Sequence, residues 1–299
     1  MPANDTALDY LHHTRAWTSS VGEGPSLRGR RAESGGPLLH FLHGNGFCGG
    51  VYWPFLSRFL PDYALFCHDF EGHGHSDAPQ RFSGPRALIQ RIPQVMAEQG
   101  LTPERPLIGI GHSYGAALTL RVAAENPGLF RALVMLDPIA MPTSAWLGVK
   151  LAAALRRNPI AQAARRRRDR WASRAEVLER LGGRGIYAGW TEQALHCFVE
   201  HATRDDEDGT RVLCCPKSLE AEIFDQPIYP WRAFPTVQVP ILYLYGTGSY
   251  SFIPWAARLA QRANPRVSVQ TLDGGHCYMQ QDPVAAADAV RAFLKLQGL

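Results

Sequence analysis

The sequence predicts an α/β protein with a mostly parallel central sheet flanked by helices and one long insertion. Two observations carry this. Short apolar, β-branched runs alternate with helix-like stretches along most of the chain, and a stretch of about a hundred residues breaks that alternation. The runs PLLHFLHG (37–44), YALFCHDF (63–70), PLIGIGHS (106–113) and RALVMLDP (131–138) read as strands buried on both faces. After a long gap come PILYLYG (240–246) and VSVQTLDG (267–274). Helices are expected at 85–100, 114–126 and 283–297, the first kinked or shortened by Pro93. The first thirty-odd residues, with Trp17 and Val21, are expected to add antiparallel strands at one edge.

Residues 140–236 hold no clear strand and are rich in Ala, Arg, Trp and Leu. They read as a mostly helical insertion between two core strands. The core is then 1–139 plus 237–299. Ligands in open parallel sheets bind beyond the carboxyl ends of the strands, so an insertion leaving such an end sits over the site as a lid.

Composition narrows the function classes. With 45% hydrophobic residues, 299 residues can bury a large core. A formal net charge of +4, with no motif that reads bases, gives no reason to expect nucleic acid as a partner. The opening MPANDTALDY contains Asp5 and Asp9 and lacks an apolar signal core, and no stretch reaches the roughly 20 apolar residues of a membrane span. Six cysteines without a CxxC pattern read as free thiols in a reducing cytoplasm. A cytoplasmic enzyme without stable membrane insertion is the expectation; the oligomeric state is left open.

Three segments carry the chemistry. Gly111-His112-Ser113-Tyr114-Gly115 lies between a strand and a helix. A serine forced into so tight a turn needs small residues two before and two after it. The turn presents Ser113 at a helix N-terminus, where backbone N–H groups favour developing negative charge. His43-Gly44-Asn45-Gly46-Phe47 ends an earlier strand similarly. An acyl-transfer enzyme stabilises an oxyanion with fixed donors, here the backbone N–H of Tyr114 and that of Asn45, with Gly46 as the alternative. The plainer reading of this turn is that Asn45 accepts a positive φ. Gly274-Gly275-His276 follows the last strand, from which His276 can reach Ser113 as general base and then general acid. Turnover should then rise with pH as the imidazole becomes neutral. His73-x-His75-x-Asp77 has the look of half a metal site, but Ala78 stands where a further ligand is wanted, so no metal and no cofactor are expected.

HGNGF, DFEGHGHSDAP, GHSYG and GGHCYMQQDP occur in this order and cover both core segments, about two-thirds of the chain. In these motifs the chain resembles the α/β-hydrolase superfamily, in its esterase/lipase-like branch with a helical cap. The resemblance implies a Ser-His-acid hydrolase and leaves the substrate open. One feature departs from the family pattern. The acid often follows the strand before the last, in a G-x-x-D pattern, where this chain reads Gly246-Thr247-Gly248-Ser249. Other members place it after the preceding core strand, which implies Asp137 as the acid here. Asp69, Asp273 and Asp282 are the competing carboxylates near strand ends.

The sequence expectation is therefore a carboxylic ester hydrolase working through an acyl-Ser113 intermediate on a small ester with an apolar acyl group. Thioesterase or carbon–carbon bond hydrolase activity on the same residues, and a catalytically idle small-molecule-binding scaffold, are the alternatives. The run Arg165–Arg168 reads as a solvated helix face; its functional readings are a basic pocket mouth for an anionic substrate group or an anionic membrane surface.

Overall fold

A computed structural model of the chain describes residues 3–101 and 104–299. In chain order they form α1 (Ala3–His13), β1 (Arg15–Ser19), β2 (Leu27–Ala32), β3 (Leu38–Leu42), α2 (Trp53–Leu56), β4 (Ala64–His68), α3 (Pro85–Glu98), β5 (Leu107–His112), α4 (Tyr114–Glu125) and β6 (Ala132–Leu136). Then come α5 (Thr143–Ala154), α6 (Pro159–Arg166), β7 (Arg170–Trp171), α7 (Arg174–Leu181), α8 (Glu192–His201), β8 (Thr203–Asp205), β9 (Arg211–Leu213) and α9 (Lys217–Phe224). The chain closes with β10 (Ile241–Gly246), α10 (Ile253–Ala263), β11 (Val267–Leu272), α11 (Tyr278–Gln281) and α12 (Pro283–Leu296).

Eight strands make one sheet in the order β1-β2-β4-β3-β5-β6-β10-β11. The pairs β1/β2 and β2/β4 are antiparallel, and the remaining pairs are parallel. Every residue of β3, β4, β5 and β6 is buried, because helices cover both faces and leave neither free for polar side chains. Alternate side chains feed two cores. Phe41, Ile110, Val134 and Leu244 pack with Phe55 and Phe293 on one face, while Leu42, Leu133, Met135 and Tyr243 pack with α3, α4 and α10 residues on the other. Ser113, Asp137 and His276 all follow carboxyl ends of strands: β5, its neighbour β6, and the edge strand β11.

The structure departs from the sequence reading in three places. Residues 140–236 carry five helices, but also a three-stranded sheet, β7-β9-β8, that the sequence did not reveal. Strands of two and three residues built from Arg, Asp and Thr are too short for a period to register. Helix α1, before the antiparallel pair, and helix α10 were not anticipated. Helix α3, expected over 85–100, runs from Pro85 to Glu98 with Pro93 inside it.

Candidate active site

The geometry of Ser113 follows from its neighbours. Its backbone takes φ 54° and ψ −114°, a left-handed conformation that costs a non-glycine residue roughly 1–3 kcal/mol. The turn is held because the Ser113 N–H donates to the Leu136 carbonyl across to β6 (3.0 Å). The flanking glycines are obligatory. A Cβ on Gly111 would stand 2.4 Å from the Gly115 carbonyl oxygen, and one on Gly115 would stand 2.3 Å from the Leu42 oxygen.

His276 Nε2 lies 3.0 Å from Ser113 Oγ, and its Nδ1 lies 2.8 Å from Asp137 Oδ1. Asp137 is fully buried, and a carboxylate removed from water needs donors on all sides. It has them. Beside the His276 ring, Ser249 Oγ donates to Oδ1 (2.6 Å) and the Gly246 N–H donates to Oδ2 (2.9 Å). Ser249 and Gly246 belong to the segment where the family pattern would put its own acid. Here that segment turns a donor toward the carboxylate of the neighbouring strand instead. The other three carboxylates are engaged elsewhere. Asp69 accepts from the Gly49 N–H (2.7 Å), Asp273 from Thr247 Oγ1 (3.3 Å), and Asp282 caps α12 by accepting from the Ala285 N–H (2.9 Å). Burial pushes the Asp69 carboxyl up to about 7.

The Asn45 turn is set differently from its plainer sequence reading. The positive φ falls on Gly46 (80°), not on Asn45. The Gly46 N–H is committed to His73 Nε2 (3.0 Å), whose Nδ1 in turn donates to the Glu71 carbonyl (3.0 Å). His73 therefore has both ring nitrogens in use inside the fold, and Asp77 pairs with Arg28. Among the described residues, no group of three or more His, Cys, Asp or Glu side chains is arranged to hold a metal ion. The Asn45 side chain donates to the Glu220 carbonyl (3.0 Å), and the Asn45 and Tyr114 backbones both border the cavity at Ser113.

Sequence reasoning missed a buried bridge between the two loops. The Gly44 N–H donates to the Tyr52 hydroxyl (3.1 Å), which donates to His112 Nδ1 (2.7 Å), and His112 Nε2 donates to the carbonyl of His276 (2.9 Å). Burial first, and then the neighbouring His276, hold the His112 pKa well below its ordinary value, so the ring stays neutral as this pattern requires. Tyr52→Phe keeps the ring but leaves a buried nitrogen and a buried N–H unpaired. The expected result is a kcat lowered by ~3–30-fold with KM little changed, measured by steady-state kinetics beside a thermal melt. A change confined to the melt would make Tyr52 a packing residue only.

A cavity of about 210 Å³ opens beside Ser113 and His276. Ile139, Met141, Val149, Ile160, Ile223 and Phe224 give it apolar walls, and no Lys, Arg, Asp or Glu lines it. The arginine run does not enter this lining. Arg165 pairs with Asp225 (2.7 Å) and Arg168 with Glu176 (2.7 Å), while Arg166 donates to Gln162 Oε1 (2.8 Å). Arg167 forms a two-pronged bond to the buried Glu220 (2.7 and 2.8 Å) and reaches the Tyr187 hydroxyl (3.1 Å). This pair backs the Asn45 turn: a Cβ on Gly46 would meet Glu220 Oε1 at 2.8 Å. All six cysteines are free and buried, and no helix among the described residues is long and apolar enough to cross a membrane.

Comparison with known proteins fits this geometry. Human monoglyceride lipase is 32% identical to the chain over 111 residues, 35% of each protein. A pimeloyl-(acyl-carrier protein) methyl ester esterase of Xanthomonas oryzae pv. oryzae is 39% identical over 102 residues, 34% of this chain and 36% of that one. These matches thus span only about a third of the curated relatives' lengths. Among solved structures, E-2-(acetamidomethylene)succinate hydrolase superposes with a TM-score of 0.76 at 22% identity, covering 95% of this chain and 100% of that one. The thioesterase domain from the curacin biosynthetic pathway gives 0.74 at 18% identity, covering 93% and 99%. At such identities these two likenesses speak for the fold alone. Residues 41–289 match the family described as "Alpha/beta hydrolase family", and over that span, most of its length, the chain belongs to the alpha/beta hydrolase family.

Proposed function

We propose that the chain is a serine hydrolase that cleaves a carboxylic ester with a neutral, apolar acyl group. The observation that carries this reading is the hydrogen-bonded series Ser113, His276, Asp137 beside an uncharged cavity. In the first half-reaction His276 Nε2 takes the proton of Ser113 Oγ as the oxygen attacks the ester carbonyl carbon. The oxyanion of the tetrahedral intermediate is met by the backbone N–H groups of Asn45 and Tyr114. His276 then gives the proton to the leaving alcohol, and the acyl group stays on Ser113. In the second half, water gives its proton to His276 and attacks the acyl carbon. Collapse releases the acid and returns the proton to Ser113 Oγ. Asp137, held by Ser249 and Gly246, fixes the imidazole tautomer and stabilises the cation that forms.

Residues 140–236 act as the lid over a core of 1–139 and 237–299. The cavity supports this division, because its lining is drawn from both parts. The relatives named for lipase and methyl ester esterase activity favour an oxygen ester over a carbon–carbon bond.

The test is a panel of p-nitrophenyl esters and acyl thioesters of graded length, with one acyl group carrying a free carboxylate. Neutral esters should turn over without added metal, and the charged acyl group should lose ~10-fold or more in kcat/KM, because no cation faces it in the cavity. Turnover of thioesters alone, or preference for the charged acyl group, would contradict the reading.

A further inference from the structure

Helix α5 of the insertion is apolar and exposed, and unpaired cations stand beside it in the chain. Helix α5 buries none of its residues. Leu147, Leu151 and Leu155 follow one another at intervals of four, which puts them in a single stripe. They are 55%, 63% and 57% exposed. A helix in a water-soluble fold normally turns such a stripe inward. Val149, on α5 itself, lines the cavity beside Ser113, and so do Ile160 and Ile186, which are themselves exposed. Helix α5 thus borders the cavity that holds the nucleophile.

Charge follows the same geography. No Asp or Glu occurs between Asp137 and Asp169, a stretch holding seven Lys or Arg residues. From 138 to 191 there are eleven cations and three carboxylates, so this one segment exceeds the chain's whole net charge of +4 and leaves the rest net negative. The cations next to the stripe are not neutralised within the fold. Lys150, on α5, and Arg156 and Arg157, directly after it, form no ion pair with any described carboxylate. A local excess of cations of this kind attracts an anionic surface.

We propose that this face docks reversibly on an anionic phospholipid surface, with α5 lying in the interface and the cavity mouth opening onto the lipid. The leucine stripe would enter the boundary between headgroups and acyl chains, while Lys150, Arg156 and Arg157 meet the phosphates. An acidic protein could satisfy the cations equally well. It gives no reason for three leucines in one exposed row on a helix that borders the cavity. The lipid surface accounts for both. Docking needs no turnover, so it stands or falls separately from the ester hydrolysis proposed above.

The experiment is co-sedimentation of the full chain with equimolar phosphatidylglycerol–phosphatidylcholine vesicles and with phosphatidylcholine vesicles, at low and at raised salt. The expected result is ~10-fold or greater preference for the anionic vesicles, diminished by salt. Ser113→Ala should bind as the native chain does, whatever becomes of its activity. Leu147→Ser/Leu151→Ser/Leu155→Ser should lose at least ~10-fold in partitioning while still hydrolysing a short water-soluble ester. Lys150→Ala/Arg156→Ala/Arg157→Ala should lose the preference for the anionic vesicles. Equal recovery with both vesicle types, or undiminished binding by the leucine variant, overturns the proposal. So does a native dimer that the leucine substitutions dissociate, because a second copy would then cover the face. Binding to an acidic carrier protein that depends on the cations, with none to vesicles, likewise overturns it.

Discussion

Ser113→Ala is expected to lower kcat by ~10⁴–10⁶-fold while leaving the fold and the binding of uncleaved substrate analogues intact. The size of the effect follows from the site. In the proposed mechanism the substitution removes covalent catalysis outright, leaving positioning and the stabilisation that the proposed Asn45 and Tyr114 N–H donors would give to direct attack by water. The substitution should also be structurally mild. Ser113 Oγ makes its hydrogen bond to His276 alone, and the turn is held by backbone contacts that alanine keeps. Alanine faces the same backbone strain at φ 54°, so the stability change should be within about 1 kcal/mol. A melting transition close to native beside a collapsed kcat is the combined result to look for. Native turnover in the variant would remove Ser113 from the chemistry.

Asp137→Asn is expected to cut kcat by ~10²–10⁴-fold with KM changed far less. The carboxylate accepts from three directions, from His276, Ser249 and Gly246. An amide has one accepting oxygen. Whichever way it turns, its NH₂ faces a group that is itself a donor, so either His276 must change tautomer or a buried donor goes unpaired. The first outcome takes the free electron pair away from Nε2, where Ser113 needs it. The matching changes, Asp273→Asn and Asp282→Asn, should stay within a few-fold of native activity. Asp273 meets only Thr247 at the surface, and Asp282 caps a helix. Near-native activity in Asp137→Asn, with collapse in one of the others, would assign the acid elsewhere.

What was legible in the sequence divides along a physical line. Contacts that depend on local backbone geometry could be read directly. Gly111 and Gly115 announce a turn with no room for side chains, and a strand before it and a helix after it say where that turn points. The core strands were readable because burial on both faces leaves continuous apolar runs such as ALVML in β6. Asp137 emerged by a different route, from a missing carboxylate at Gly246-Thr247-Gly248-Ser249. What that route could not supply was the use to which Ser249 is put.

Contacts that join distant segments left no local trace. Tyr52 and His112 are sixty positions apart, and Arg167 and Glu220 are fifty-three apart. Each residue alone reads as an ordinary aromatic or a surface charge. The arginine run was visible, yet its division into separately paired guanidiniums depends on α7, α9 and the residue that follows α9, brought alongside by folding. Helix α10 is a different case. IPWAARLAQRA buries Ile253, Ala256, Ala257 and Ala260 at helical spacing, so its period was present and went unread beside a Gly- and Ser-rich approach.

The central claim is that Ser113 is the activated nucleophile. The most direct measurement is mass spectrometry of tryptic peptides after treatment with an organophosphorus ester probe. A single adduct on the peptide containing Ser113, absent in Ser113→Ala, is the predicted result. An adduct on another residue, or complete inactivation with Ser113 unmodified, would contradict it.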